Sequence, residues 1–496
     1  MMRQRLSLSL RLPQLRLRLA GAALPLWLAG CAVVSSPGAD LAPVPAQWFA
    51  PLPHNGRLTD LRSWWQQQND ALLVELIDAA QAASPTIASA LSRIEQARAT
   101  RTAAGAALLP TLDASVGASR SRTQPGFGSG AAPITSSAQA GLQAAWEIDL
   151  FGGNRAAAGA AAERLLGTQA QWHDARVSVA AEVVNQYDAL RSCRQLTGIT
   201  RADANSRQET ARLTDLSTGA GFTAPANAAL ARASAAEARA RATQQAAQCE
   251  LDLKALVALT ALQEPELRQK LAAAGAPRSQ ADMMSIATVP ADALAQRPDV
   301  FSAEREVAAA SADIGAARAQ LYPRLGLNGS IGIAGFRSGG LTSDLQTWSI
   351  GPLALSLPLF DGGRRAANVE AAQARYQEAA TLYRARVRRA VREVEEALVN
   401  LQSSGARDAD ARIAVDGYRA SFNGTEARYR NGLASLVELE DARRFLLTAE
   451  ITLASLQRER LAAGVALYRA LGGGWTPALI DPSGNARSRP MAHTTP

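Results

Sequence analysis

The chain repeats itself with a period of about 210 residues, and that duplication limits its fold more than any other feature. Ala107-Leu108-Leu109-Pro110-Thr111-Leu112 matches Gln320-Leu321-Tyr322-Pro323-Arg324-Leu325. Trp146-Glu147-Ile148-Asp149-Leu150-Phe151-Gly152-Gly153-Asn154-Arg155 matches Ser356-Leu357-Pro358-Leu359-Phe360-Asp361-Gly362-Gly363-Arg364. Ala181-Glu182-Val183 matches Arg392-Glu393-Val394, and Ser217-Thr218-Gly219 matches Arg430-Asn431-Gly432. Each half reads in the same order: helix, Pro, strand, loop, strand, Gly-Gly, then two very long helices.

The strands are read from alternation. Leu112, Ala114, Val116 and Ala118 alternate with Asp113, Ser115, Gly117 and Ser119. Leu142, Ala144, Trp146 and Ile148 do the same, as do Leu325, Leu327, Gly329, Ile331 and Ile333. In the fourth strand Trp348 and Ile350 are followed by Leu353, Leu355 and Leu357, with the period slipping at Gly351-Pro352. Each strand is expected to run about 10–12 residues, the length a tilted membrane strand needs. The intervening loops, 123–137 and 336–346, are rich in Gly and Ser and suit exposed hairpin tips. Four strands cannot close a barrel, and open edges in lipid leave backbone groups unpaired. The chain is therefore expected to supply part of a shared barrel, and three copies would give twelve strands.

The helices are expected over residues 154–216 and 226–259, and again over 364–429 and 436–471. Ala dominates these stretches, and Ala loses no side-chain entropy on ordering. The longer helix of each pair would reach roughly 90–100 Å, beyond any bilayer, a length found in coiled-coil settings. A short Gly turn joins each pair into an antiparallel hairpin whose tip lies far from the strands.

The net charge of +8 is misleading. Arg3, Arg5, Arg11, Arg16 and Arg18 lie in the first thirty residues with no acid, and removing those five leaves +3. Nucleic-acid binding gains no support from so small a balance. Residues 1–30 read as a signal peptide: a basic start, then an apolar run over 19–28. The run ends in Leu28-Ala29-Gly30-Cys31, which resembles a bacterial lipobox whose Cys31 becomes the acylated first residue. An ordinary signal peptide with a chance Cys is the alternative. Ala32 follows, not the Asp that by analogy retains lipoproteins in the inner membrane, so an outer-membrane destination is expected. No later segment offers about 18 continuous apolar residues, so a transmembrane helix is not expected in the mature chain.

The two remaining cysteines, Cys193 and Cys249, lie symmetrically about residue 221, inside the turn Thr218-Gly219-Ala220-Gly221. In an antiparallel hairpin they should face each other, and an exported chain meets an oxidising compartment, so a disulfide is expected. Two buried free thiols are the other reading.

Four motifs, in order, carry a family resemblance. Gln296-Arg297-Pro298-Asp299-Val300 with Ala303-Glu304, and Leu357-Pro358-Leu359-Phe360-Asp361-Gly362-Gly363-Arg364, resemble signatures of TolC-type outer-membrane efflux proteins. Tyr429-Arg430-Asn431-Gly432-Leu433-Ala434-Ser435 resembles their second tip turn, and Leu471-Gly472-Gly473-Gly474-Trp475 the ending of the NodT-like lipoprotein branch. The resemblance covers about residues 60–475. It implies an α+β membrane protein: a homotrimer with a twelve-stranded β-barrel, four strands per chain, continuing into a twelve-helix periplasmic α-barrel with a mixed equatorial domain. The division expected along the chain is a signal peptide (1–30), a lipidated linker (31–70), a first repeat (71–285), a second repeat (286–475) and a disordered tail (476–496). The resemblance also implies an exit duct for small toxic compounds, lipid-anchored in the outer membrane. Its partners would be a periplasmic adaptor and a proton-driven inner-membrane transporter, with no nucleic acid and no cofactor besides the lipid on Cys31. A type I secretion duct with the same fold and a structural surface lipoprotein are the alternatives.

The same resemblance places a periplasmic gate just after the second tip. Aligning on Gly432 brings Glu438 and Asp441 to the family's acidic positions and Val437 to an apolar constriction. Spaced i, i+3, the two acids share one helix face. The alternative is that Glu438, Glu440 and Asp441 only favour a helix N-terminus through its dipole. With Gly219 aligned to Gly432, the counterparts in the first hairpin are Pro225 and Ala228. The turns around Gly219, Gly221, Gly432 and Ser435 are the expected adaptor-docking tips, or else plain turn chemistry. Arg297-Pro298-Asp299 is expected to start a helix. An enzyme is not expected. His54, His173 and His493 lie far apart, no HExxH, CxxC, GxSxG or Walker pattern occurs, and a metal site would lack ligands.

Overall fold

A computed structural model describes residues 65, 70–122, 134–274, 294 and 296–479. The signal peptide, Cys31, nearly all of the 31–70 linker, the first hairpin loop at 123–133 and the tail from 480 lie outside the described residues. In order the elements are α1 (Ala71–Ala83), α2 (Pro85–Ala106), β1 (Thr111–Arg122), β2 (Ile134–Ile148), α3 (Gly153–Gly219), α4 (Pro225–Thr260) and α5 (Glu264–Ala273). Then come α6 (Pro298–Ala319), β3 (Arg324–Ser338), β4 (Leu341–Ser356), α7 (Arg364–Arg430) and α8 (Leu436–Ala470). The chain forms two compact units. Of the described residues, one includes 95–122, 134–165 and 304–381; the other includes 166–274, 296–303 and 382–479. Each sequence repeat contributes to both.

The first unit holds a four-stranded antiparallel sheet in the order β1-β2-β3-β4, so β1 and β4 each have one edge without a strand partner among the described residues. Gln143 stands opposite Ser330, and Ile331 opposite Trp348, so each side chain shares a face with its cross-strand partners. Three strands are longer than alternation alone suggests: β2 and β3 have 15 residues and β4 has 16. The loop expected at 336–346 is absent. β3 runs to Ser338 and β4 starts at Leu341, leaving Gly339 and Gly340, both at positive φ, as a two-residue turn. Such turns need a left-handed backbone that glycine adopts without strain. The polar run that reads as loop is the ladder continuing with polar side chains. The slip at Gly351-Pro352 is a bulge: Leu327 pairs with Leu353 while Gly329 pairs with Ile350. The extra residue restores parity, so Leu353 and Leu355 stay on the face of Trp348 and Ile350.

In the second unit α4 packs along α3 by a seam of alanines. Ala228, Ala231, Ala235, Ala238 and Ala242 are all buried, at alternating spacings of three and four. That is the a/d pattern of a coiled coil. Across the seam lie Ala204 and Ala211 of α3. Methyl-sized contacts let the two helices approach closely. Two steps further along the same pattern stands Cys249, joined to Cys193 by a disulfide with Cα atoms 5.5 Å apart.

The Gly-Gly-Gly-Trp ending is a packing motif. At Gly472 (φ 76°) a Cβ would sit 2.8 Å from the carbonyl oxygen of Gln296, and at Gly473 (φ 61°) it would sit 2.6 Å from a Val177 methyl. Trp475 is buried beside Phe301, ring centroids 5.3 Å apart, and near His173 at 6.2 Å. Burial there, with Arg176 nearby, lowers the His173 pKa to about 4. Arg297 lies against this region and does more than start a helix. α6 begins at Pro298, while the buried Arg297 donates to the Ala470 carbonyl (3.1 Å), Asp299 (2.9 Å) and Glu393 (2.8 Å). One guanidinium thus ties α6 to α7 and to the end of α8.

On α3, Asp188 has a buried Oδ2 with no hydrogen-bond partner among the described residues. Burial pushes its pKa up to about 7 from 3.8; Arg191 opposes the shift and Asp70 adds to it. Asp70 itself is engaged, accepting from Tyr187 and Arg191 at 3.0 Å each and capping α1. A folded pKa above the unfolded one means stability is present below about pH 4 and is lost as pH rises through 7. Asp188→Asn should therefore unfold at a higher temperature than the parent at pH 8, with the gain shrinking to nothing as pH falls to 4 in thermal scans. For the disulfide, the denatured, unreduced chain should take no alkylating label at Cys193 or Cys249, and two labels after reduction, by mass spectrometry.

Candidate functional site

Two parts of the molecule present unusual surfaces: the hairpin tips in the second unit and one face of the sheet in the first.

Both tips are built by the same backbone motif. At the first, Gly221 N–H donates to Thr218 C=O and Phe222 N–H to Ser217 C=O (3.0 and 2.9 Å). At the second, Gly432 N–H donates to Tyr429 C=O and Leu433 N–H to Arg428 C=O (3.0 and 2.8 Å). These are Schellman caps with glycine at the left-handed position, φ 80° at Gly221 and 71° at Gly432. The structural partner of Gly432 is thus Gly221, not Gly219, which ends α3 as its last helical residue. The sequence offers two glycines there, and only the one needing positive φ is equivalent. The counterparts of Glu438 and Asp441 shift accordingly, to Asn227 and Leu230. In a Schellman cap the residue after the glycine commonly packs back on its helix. Here Phe222 and Leu433 occupy that place and remain 87% and 69% exposed. Alternation and spacing gave no hint of these two; the cap geometry identifies them.

After the second tip, Ser435 caps α8 in a reciprocal box: Glu438 N–H donates to the Ser435 hydroxyl (3.1 Å), and Ser435 N–H to the Glu438 carboxylate (2.8 Å). Glu438 therefore serves the helix start in the single chain. Asp441 pairs with Arg444 at 3.0 Å. Val437 and Glu438 are exposed, Asp441 is half-buried, and Leu436 and Leu439 are buried on the other side of α8.

Glu440, read from sequence only as favouring a helix start, turns inward. It pairs with Arg207 of α3 and with Arg443 (2.9 Å), and accepts from Ser234 of α4 (2.8 Å). Arg207 also binds Asp203 at 2.9 Å, and Arg443 donates to Thr210 at 2.7 Å. Burial holds the Arg443 pKa below its ordinary value; Glu440 opposes that shift and Arg207 adds to it. Tyr429 and Thr214 share a further hydrogen bond of 3.1 Å. This buried network joins the two hairpins just behind their tips. Its residues lie far apart in sequence, and no local signal marks them as a set.

One face of the sheet carries Leu112, Val116, Leu142, Trp146, Leu327, Ile331, Ile333, Trp348, Ile350, Leu353 and Leu355 by register. Val116, Ile350 and Trp348 are 87%, 82% and 75% exposed. The opposite face is polar, with hydroxyl pairs Ser119–Ser137 and Ser330–Ser349 at 2.8 Å each. No single helix among the described residues is long and apolar enough to cross a membrane, and no group of three His, Cys, Asp or Glu among them could hold a metal ion.

Residues 76–262 and 289–473 match the family described as Outer membrane efflux protein. The chain is 30% identical over 460 residues to the solvent efflux pump outer membrane protein SrpC of Pseudomonas putida, covering 91% of this chain and 97% of that one. It is 29% identical to nodulation protein T of Rhizobium leguminosarum bv. viciae, covering 94% and 95%. The solved outer-membrane channel OprN superposes with a TM-score of 0.78 at 28% identity, covering 89% of this chain and 98% of that one. The chain belongs to the outer membrane efflux protein family, the TolC-type outer-membrane channel components of efflux pumps.

Proposed function

We propose that three copies of this chain close a twelve-stranded barrel in the outer membrane and form an exit duct for small toxic compounds. The observation that carries this reading is the sheet, with an exposed apolar face, a polar face and two free edges. A spanning sheet must close, because hydrocarbon offers its edge N–H and C=O groups no partner. Joining β4 of one copy to β1 of the next satisfies both edges, sets the apolar face toward lipid and lines the interior with Ser, Gln and Thr. The exposed helix faces below would then line a twelve-helix tunnel. Cys31 supplies the lipid anchor in this scheme.

At the tunnel's inner end, threefold symmetry would bring three copies each of Val437, Glu438 and Asp441 toward the axis. An apolar ring resists wetting and a carboxylate ring holds cations. The turns at Gly219, Gly221, Gly432 and Ser435, with exposed Phe222 and Leu433 beside them, offer apolar tips to a periplasmic adaptor coupled to a proton-driven inner-membrane transporter. Adaptor contact would open the gate by shifting the packing of α8.

The full chain, extracted in detergent and placed in a planar bilayer, should conduct as a trimer. A monomer without conductance would end the reading. Replacing Glu438 and Asp441 with Ala should weaken block by divalent cations several-fold and raise passive leak; unchanged conductance and block would remove these residues from the gate. Deleting the gene should sensitise cells to small toxic compounds and leave protein export intact, whereas the reverse pattern would indicate a polypeptide secretion duct.

A further inference from the structure

At the hairpin end of the sheet, the apolar face ends in a basic row. Arg120 stands opposite Ser136, Ser136 opposite Arg337, and Arg337 opposite Thr342. These four residues form one line across all four strands. Arg120 has the parity of Leu112 and Val116, and Arg337 that of Ile331 and Ile333, so the row belongs to the apolar face. Arg122 has the same parity one step further out. Arg120, Arg122 and Arg337 are all exposed. Among the described residues the single acid on this face near the row is Asp344, opposite Gly335, one step inward. A groove of about 530 Å³ runs across the strands here, lined by Arg120, Ser136, Arg337 and Thr342 on one side and by Ala118, Ala138 and Gly335 on the other.

We propose that this row binds phosphate-bearing lipid headgroups of the outer leaflet. The proposal rests on the barrel reading above, which turns the apolar face toward lipid.

Depth supports the assignment. From Leu325 to Ile333 the apolar positions cover roughly 27 Å of strand, or about 20 Å of membrane depth at the usual tilt, close to the apolar band of known barrels. Arg337 lies four residues beyond Ile333, about 10 Å further out, where headgroups sit. A guanidinium on the lipid-facing side is costly within the hydrocarbon, and at headgroup depth it meets anions. Arg120 and Arg337 are two strands apart, roughly 10 Å, with a serine hydroxyl between them. Guanidinium geometry matches phosphate through paired N–H donors, and Ser136 and Thr342 add hydroxyl donors. The excess of arginine over acid on this face is complementary to a polyphosphorylated headgroup. A solvated rim would need no shared parity with the apolar band, and nothing would favour its alignment in one row.

The test uses the full chain in detergent, with lipid retention read by native mass spectrometry. Diphosphoryl lipid A is the probe, and lipid A stripped of both phosphates is the comparator. The parent should retain the diphosphoryl form preferentially. R120Q/R337Q should weaken that retention roughly tenfold or more, and R120K/R337K should recover part of it. Excess inorganic phosphate should fail to displace the lipid, because the acyl chains lie on the adjacent apolar band. Equal retention of the two lipids, retention unchanged in R120Q/R337Q, or full displacement by inorganic phosphate would each overturn the proposal. Should R120Q/R337Q fail to assemble, the parent's preference between the two lipids decides alone. Bilayer conductance of the same preparations reports on the barrel separately, so a conducting trimer without phosphate preference rejects the headgroup site and keeps the duct.

Discussion

Backbone hydrogen bonding governs this chain's architecture. The outer strands β1 and β4 each carry a row of N–H and C=O groups with no strand partner among the described residues. In water such an edge is tolerable; in hydrocarbon each unmet group costs several kcal/mol. The cost grows with strand length, and these strands are 12 and 16 residues long. The exposed leucines, isoleucines and tryptophans of one face call for lipid, and once the sheet is in lipid its edges call for more strands. The two demands reinforce one another, and both point away from a lone chain.

The helical unit meets a different constraint with different chemistry. Helices α3 and α7 have 67 residues each, and their return helices 36 and 35. Such elements must stay paired over their whole length with few large aromatic side chains, which make up only 5% of the chain. An alanine seam answers this by close approach, with each methyl contributing little and the repeat contributing through number. The disulfide between Cys193 and Cys249 adds a covalent tie further along the same seam. Beside the tipward part of the seam, Arg207, Glu440 and Arg443 add a buried polar network that joins the two hairpins. Such a network is costly to half-break, because removing one partner strands the others in low dielectric. The junction of the two hairpins is therefore held by interactions that are lost together, a property suited to a segment with discrete arrangements.

Much of this was legible in residue order. Period-two alternation marks the four strands, and the slip at Gly351-Pro352 anticipates the bulge. Alanine-rich runs free of Pro mark the long helices, whose ends fall within a few residues of the expected positions. Less legible were features set by partners distant in the chain. The polar continuation of β3 into β4 reads as loop because alternation fades, yet the ladder persists to Ser338 and Leu341. Gly219 and Gly221 are indistinguishable as letters, and the left-handed backbone of the cap selects Gly221. Arg297 reads as part of a helix start, but its contacts with Glu393 and Ala470 are decided by packing.

By itself, the sequence determined the duplication, the element types and the two-faced character of the sheet, because these depend on local periodicity and intrinsic preference. Tertiary structure alone decided which face Glu440 presents, which glycine caps the first hairpin, and that Arg120 and Arg337 share one row with Ser136 and Thr342. Those facts arise from register and from helix-to-helix packing. Both join residues hundreds of positions apart, where no local pattern can record who stands beside whom.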